Sequence, residues 1–391
     1  MIIYDMRLVE KLQVAREAKQ WRNSGIIPSN QYDAIKAAYT TPLYSPTLFI
    51  RIVLFVFACI ALAGVYGIVF LIVSPDHDTT FAALLVVVGG LSFFVLERVV
   101  KTRQLYKAGI EEAMLYVALF LTIAGIVWLY LEATSPPRTG VVPWILALPL
   151  LIWGAVRFAD RLVTAGAYIC ALAVVLVPLS ESGPVTRSLL PFVAMLLGLG
   201  SYFLVRKYSG KKFLEPWKDC LFVIKMLSLA VLYCGGNYFV VREGNAALMG
   251  YEIPEGGNIP FAFLFYILTA LIPVAYIVRG LMIRDHLLLR TGLIAAVVSV
   301  LTFRYYFHVV APEVALTIAG AVMFLAAMFS LRFLKTDRNG FTHRNILKEK
   351  LKDLNAEGLL ISQTLGPAPQ PAAKPPQGGG EFGGGGTTGS W

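Results

Sequence analysis

Apolar residues dominate this chain in long runs, and short polar segments punctuate them. Runs of the length a membrane span requires, about 20 mainly apolar residues, occur near 48–74, 80–98, 112–132, 141–157, 162–179, 187–205, 219–241, 259–279, 287–306 and 312–334. They predict an all-α integral membrane protein with about ten transmembrane helices, the bundle occupying residues 46–335. The fourth and fifth runs are the shortest, separated only by the stretch Arg157 to Arg161. Ahead of them the pattern changes. Leu8, Val9, Leu12, Ala15 and Ala18 recur at helical spacing, which predicts an amphipathic helix ending near Asn23. Gly25 suits the left-handed turn that closes such a helix. Pro28 leads into a second helix, capped by Ser29 or Asn30, on which Tyr32, Ile35 and Ala38 face one way. Residues 1–45 therefore predict a helix–turn–helix pair pinned by Trp21, Ile26, Ile27 and Tyr32. So small a unit is marginal alone. It is expected to rest on the membrane surface, the inner loops or a partner protein.

Beyond the last run, residues 336–365 read as a basic helix near the membrane surface. Residues 366–391 are Pro-rich and then Gly-rich, a composition expected to stay disordered because it buries too little apolar area. Phe382 and Trp391 are the only aromatic residues in that tail and would give a partner a grip; an idle solubilising tail is the ordinary reading.

Composition supports lipid as the solvent. The chain is 57% hydrophobic and only 15% charged, with a mean hydropathy of +0.68; soluble domains carry roughly 25% charged residues. The net charge of +10 then reads as loop asymmetry, not as a nucleic-acid footprint. With the N-terminus inside, the inner segments hold 29 of the 34 Lys and Arg residues, leaving Arg138, Arg187, Arg242 and Arg304 outside and Lys225 within a span. Lys and Arg concentrate on the cytoplasmic side of membrane proteins, so both termini are expected in the cytoplasm. The first 45 residues contain no apolar core of signal-peptide type, so the first span is expected to act as the insertion signal.

The segment WRNSGIIPSNQYDAIKAAY, followed at once by many spans, resembles the bacterial membrane proteins grouped as the domain-of-unknown-function 2157 family. The matching residues are Trp21, Gly25, Ile26, Ile27, Gln31 and Ile35, and the resemblance covers about residues 5–60. It implies a bacterial inner-membrane location and supplies no activity, substrate or site.

Enzyme signatures for zinc proteases, serine hydrolases and phosphate-binding loops do not occur, and no cofactor is expected. Cys59, Cys170, Cys220 and Cys234 lack metal-ligand spacing and read as small apolar side chains. Asp76, His77 and Asp78, with His308, form the one polar group with cation-ligand chemistry; a plain acidic outer loop is the ordinary reading. Glu97 with Arg98, and Glu111 with Glu112, sit at the inner interface, as ion pairs or, in a lipid-processing enzyme, as acid and base. Arg304, Tyr305, Tyr306 and Phe307 read as an outer aromatic belt.

Charge inside a span is costly and tends to be functional. Lys225 is the one such residue; it either snorkels toward the interface or faces the bundle interior to bind an anion or relay a proton. In the same run Gly235, Gly236 and Asn237 predict a helix break, and Gly89 and Gly90 in the second run are their counterparts if the chain is two inverted five-span halves. Close helix packing on small residues is the alternative. Three functions follow: a non-enzymatic membrane protein whose N-terminal pair and tail are docking or regulatory elements, a secondary transporter with a hydrated midplane cavity touching Gly89, Lys225, Gly235 or Asn237, or a lipid-processing enzyme. Membrane lipids are the partners common to all three.

Overall fold

A computed structural model describes residues 2–74, 77–134, 140–249 and 259–306, together with Thr317, Gly320, Phe324 and Met328, which are helical. Among the described residues the chain is all-helical, with one isolated β-bridge between Tyr44 and Leu105. The chain divides into two compact units, Met1–Val309 and Val310–Trp391. The first contains α1 (Met6–Asn23), α2 (Ser29–Ala38), α3 (Leu48–Val73), α4 (Asp78–Arg103), α5 (Ile110–Ala133), α6 (Val142–Phe158), α7 (Arg161–Glu181), α8 (Pro184–Tyr208), a 3₁₀ turn (Lys212–Trp217), α9 (Lys218–Gly236), α10 (Tyr238–Met249), α11 (Ala262–Ile283) and α12 (His286–Tyr306).

Among the described residues, eight helical segments are long and apolar enough to cross a membrane: α3, α4, α5, α7, α8, the 3₁₀ turn continued into α9, α11 and α12. Eight of the ten predicted runs are thereby matched by long apolar helices. The fourth predicted span is α6, whose 17 residues extend only about 25 Å at 1.5 Å per residue, short of a hydrocarbon core of about 30 Å. The tenth, 312–334, lies outside the described residues but for four positions. So do the basic helix at 336–365 and the tail at 366–391.

The helices pack as antiparallel neighbours, α4 on α5, α6 on α7, α8 on α9 and α11 on α12. One apolar core joins Leu96, Leu115, Leu119 and Phe158 of α4, α5 and α6. A second joins Tyr202, Leu229, Tyr276 and Leu288 of α8, α9, α11 and α12. Antiparallel order gathers the starts of α3, α5, α7, α9 and α12 with the ends of α4, α6 and α11. Ion pairs concentrate at that end: Arg51 with Glu112, Arg157 with Glu97 (2.8 Å), Lys107 and Arg161 with Asp219 (2.6 and 2.8 Å), and Lys225 with Asp285 (2.5 Å). It is termed the charged end below.

Gly109 sets the geometry there. Its φ is +98°, and a Cβ would collide with the Arg51 carbonyl and meet the Phe55 nitrogen at 3.0 Å. Glycine alone combines that dihedral with so close a backbone approach. Gly109→Ala is expected to destabilise the protein by about 2–3 kcal/mol, read as the midpoint shift in an SDS-unfolding titration. A shift no larger than that of an exposed Gly210→Ala control refutes this.

The N-terminal pair forms as predicted, with differences in how it is held. α1 buries Val9 and Ala18. Gly25 takes φ +71°, the Ile26 N–H donates to the Trp21 carbonyl (2.9 Å), and the Arg22 guanidinium lies over the Tyr32 ring at 4.4 Å. Trp21 itself is exposed, so the pin is a cation–π contact plus a backbone turn. Neither Ser29 nor Asn30 is the cap: Pro28 is, without a side-chain hydrogen bond.

Candidate functional site

Gly235, Gly236 and Asn237 do break a helix. α9 ends at Gly236, Asn237 is extended (φ −85°, ψ 123°), and α10 starts at Tyr238. A break inside lipid frees backbone groups that must find partners, and neighbouring side chains supply them. The Tyr238 N–H donates to Thr269 Oγ1 (2.9 Å), and Asn237 Oδ1 accepts from the Val240 N–H (3.2 Å). Asn237 Nδ2 donates to the Tyr233 hydroxyl (2.8 Å) and to Thr302 Oγ1 (3.1 Å). Tyr233 in turn meets Ser299 Oγ (2.8 Å), which donates to the Thr269 carbonyl (2.6 Å). Tyr233, Asn237, Tyr238, Thr269, Ser299 and Thr302 are all buried. Sequence reasoning found the break but missed Tyr233, Thr269, Ser299 and Thr302. Their signal is one hydroxyl per turn or two in otherwise apolar helices, which the sequence presents as unremarkable small residues.

The glycines here are packing positions. A Cβ on Gly235 would lie 2.9 Å from the Pro191 carbonyl, and one on Gly236 would strike the Ile272 side chain. Gly89 abuts Thr122 and the Ala118 carbonyl (3.1 Å), whereas nothing lies within 4 Å of the Cβ position at Gly90. The structure joins Gly235, Gly236 and Asn237 to one another; Gly89 lies on the α4–α5 contact, away from them.

Lys225 does not project into that network. Its ammonium reaches back to Asp285 in the α11–α12 connection (2.5 Å), with the two side chains only 20% and 19% exposed, and lies 5.8 Å from the Tyr202 ring centroid. Asp285 also accepts from the Leu287 N–H (3.0 Å), capping α12. Burial by itself opposes ionisation of Asp285, but the Lys225 hydrogen bond and charge outweigh it and hold the carboxyl below the usual Asp range. Asp285 carried no special signal in sequence because the pairing is set by how α11 folds back against α9.

The charged end contains a different constellation. A crevice of about 570 Å³ runs between α3 and α7 over α5, roofed by the N-terminal segment. Its polar floor carries Glu111, Glu112 and Asp160. Glu112 is bound by the Arg51 guanidinium. Asp160 accepts from the Tyr116 hydroxyl (3.0 Å) and from the Val163 N–H (2.9 Å), capping α7. Glu111 is 2% exposed; its Oε1 accepts from the Ala108 N–H (2.7 Å), and its Oε2 has no hydrogen-bond partner in the protein. Tyr4 closes the roof, its ring edge-on to Tyr106 at 5.1 Å. Burial raises the Tyr4 pKa well above the ordinary tyrosine value, and the Glu111, Asp160 and Glu112 charges push it further. Glu97 is elsewhere, paired with Arg157 and Lys101, so the predicted interfacial carboxylates converge only in part.

Of the cation-ligand group, Asp76 and His308 lie outside the described residues. Among the described residues no three His, Cys, Asp or Glu side chains are placed to hold a metal ion. Phe307 likewise lies outside, while Tyr306 donates to Glu243 Oε1 (2.7 Å).

The apolar helices and their antiparallel packing define the class, a multi-pass helical membrane protein. Comparison with family models, with curated proteins and with solved structures finds no match.

Proposed function

We propose that this chain is a non-enzymatic membrane protein whose N-terminal helical pair is a platform fixed to one end of the bundle, on which a partner protein docks. The observation that carries this is the asymmetry of the pair. α1 is latched down: the Ile3 N–H donates to the Arg157 carbonyl (3.0 Å), Tyr4 packs on Tyr106, and Val9 and Ala18 are buried. α2 buries nothing and packs on α1, so its outer surface is presented rather than used. The excess of Lys and Arg in the inner segments supports a cytoplasmic position for this end. The resemblance of residues 5–60 to the domain-of-unknown-function 2157 proteins supports a bacterial inner membrane. A transporter would need a hydrated cavity touching Gly89, Lys225, Gly235 or Asn237; packing neighbours at Gly89 and Gly235, hydrogen bonds at Asn237 and the ion pair at Lys225 favour the docking reading instead.

The test is affinity purification in mild detergent of the full chain beside Ala34→Asp and Ala37→Asp variants, both at exposed positions of α2, followed by mass spectrometry. A stoichiometric protein carried by the full chain and lost from both variants, with the bundle still monodisperse, is the expected result. A partner complement unchanged by both substitutions sinks the docking reading.

A further inference from the structure

We infer that the crevice between α3 and α7 is a binding site for a zwitterionic phospholipid whose headgroup carries a primary ammonium. Three observations on the same 570 Å³ space lead there. First, its size falls in the range of small-molecule sites, and its sides are apolar and continuous with the lipid-facing surface: Leu48, Ile52 and Leu162 line it and are 70%, 54% and 66% exposed. Acyl chains enter sideways along those residues.

Second, the floor has an unmet acceptor. Glu111 is 98% buried, lines the crevice, and leaves Oε2 without a partner. Such an orphan carboxyl oxygen is costly unless a donor arrives. The Arg51 guanidinium is committed to Glu112, and the Tyr116 hydroxyl to Asp160. An ammonium N–H placed there satisfies Oε2 with a charge-assisted hydrogen bond, and Glu112 and Asp160 line the same crevice.

Third, cations stand at the exposed part of the same crevice. Arg16 and Arg161 both line it. Arg161 shares Asp219 with Lys107 and is 59% exposed; Arg16 donates to Ser45 Oγ and forms no ion pair among the described residues. Guanidinium groups match phosphate oxygens geometrically. A headgroup lying with its phosphate at Arg16 and Arg161 and its ammonium at Glu111 satisfies both ends at once. Apolar sides, an acidic floor and a basic mouth are the three parts of an aminophospholipid.

The experiment uses the full-length protein in dodecyl maltoside, with dioctanoyl phosphatidylethanolamine, phosphatidylcholine and phosphatidylglycerol, and with free phosphoethanolamine. Binding is read by native mass spectrometry and by thermal shift. The ethanolamine lipid is expected to bind at least about tenfold more tightly than the choline lipid, which has no N–H to donate, an advantage equal to one charge-assisted hydrogen bond. Glu111→Gln should abolish that preference while leaving phosphatidylglycerol binding within about twofold; Arg16→Gln should weaken all three lipids. Equal binding of the ethanolamine and choline lipids to the unaltered protein overturns the proposal without recourse to any variant. Free phosphoethanolamine binding as tightly as the lipid overturns the lipid assignment and leaves a soluble phosphoamine as the ligand.

Discussion

Asp285→Ala is expected to destabilise the bundle by about 2–3 kcal/mol, measured as the shift in an SDS-unfolding midpoint. Breaking a buried ion pair from one side costs roughly 3–5 kcal/mol; the residual exposure of about a fifth on each side chain lowers the figure. The damage is what remains behind: the Lys225 ammonium is left in a low-dielectric position beside the Tyr202 ring with no carboxylate. Lys225→Met should cost less, because Asp285 keeps the Leu287 N–H as a donor. The double variant Lys225→Met with Asp285→Ala should recover at least half of the single loss, since it removes the stranded charge. A double variant no better than Asp285→Ala alone would mean that packing, not charge, sets the effect. The pair also has a pH signature. The native Asp285 carboxyl is held below its unfolded range, so its stabilisation is fully present above about pH 4 and is lost as pH falls through the native value. The gap between the unaltered protein and Asp285→Ala should therefore shrink on acidification below about pH 4, while a gap that widens would contradict the assignment.

Asn237→Leu is expected to cost about 2–3 kcal/mol, the second large effect. Leucine has nearly the right volume, so little of this is cavity formation. The loss comes from hydrogen bonds at a helix break in apolar surroundings: the Val240 N–H loses its acceptor, and Tyr233 and Thr302 lose theirs or their donor. Thr302→Val removes one edge of the same network and should cost about 1 kcal/mol. The two substitutions together should cost less than their sum, because each leaves the other's partner unpaired. Strict additivity in this cycle would show that Asn237 and Thr302 do not act as one network. Every buried side-chain polar atom at the break has a protein partner among the described residues, so the junction between α9 and α10 is braced by side-chain hydrogen bonds.

How much of this was legible in advance follows from what each inference depended on. Span positions came from local apolar density, which the hydrocarbon core demands of any segment crossing it, and eight long helices stand where such runs occur. The fourth run is the shortest of the predicted spans, and α6 has 17 residues, at the lower end of what a span needs. The N-terminal pair was legible from helical spacing and from Gly25, since both are local properties of the backbone. The break at Gly236–Asn237 was legible for the same reason.

Pairing across the bundle was not. Nothing in the order of residues links Lys225 to Asp285, Asn237 to Thr302, or Arg51 to Glu112, each more than 55 positions apart. Glu111 and Glu112 look alike in sequence. Helix phase then turned one toward Arg51 and left the other with an unpartnered oxygen at the floor of a crevice. The sequence alone determined that the chain is helical, lies in a membrane and carries its positive charge unevenly, because these depend on composition and local periodicity. Tertiary structure alone decided which charges are neutralised, which glycines are contacts and where a cavity remains, because those depend on helix phase and on neighbours brought together over long separations.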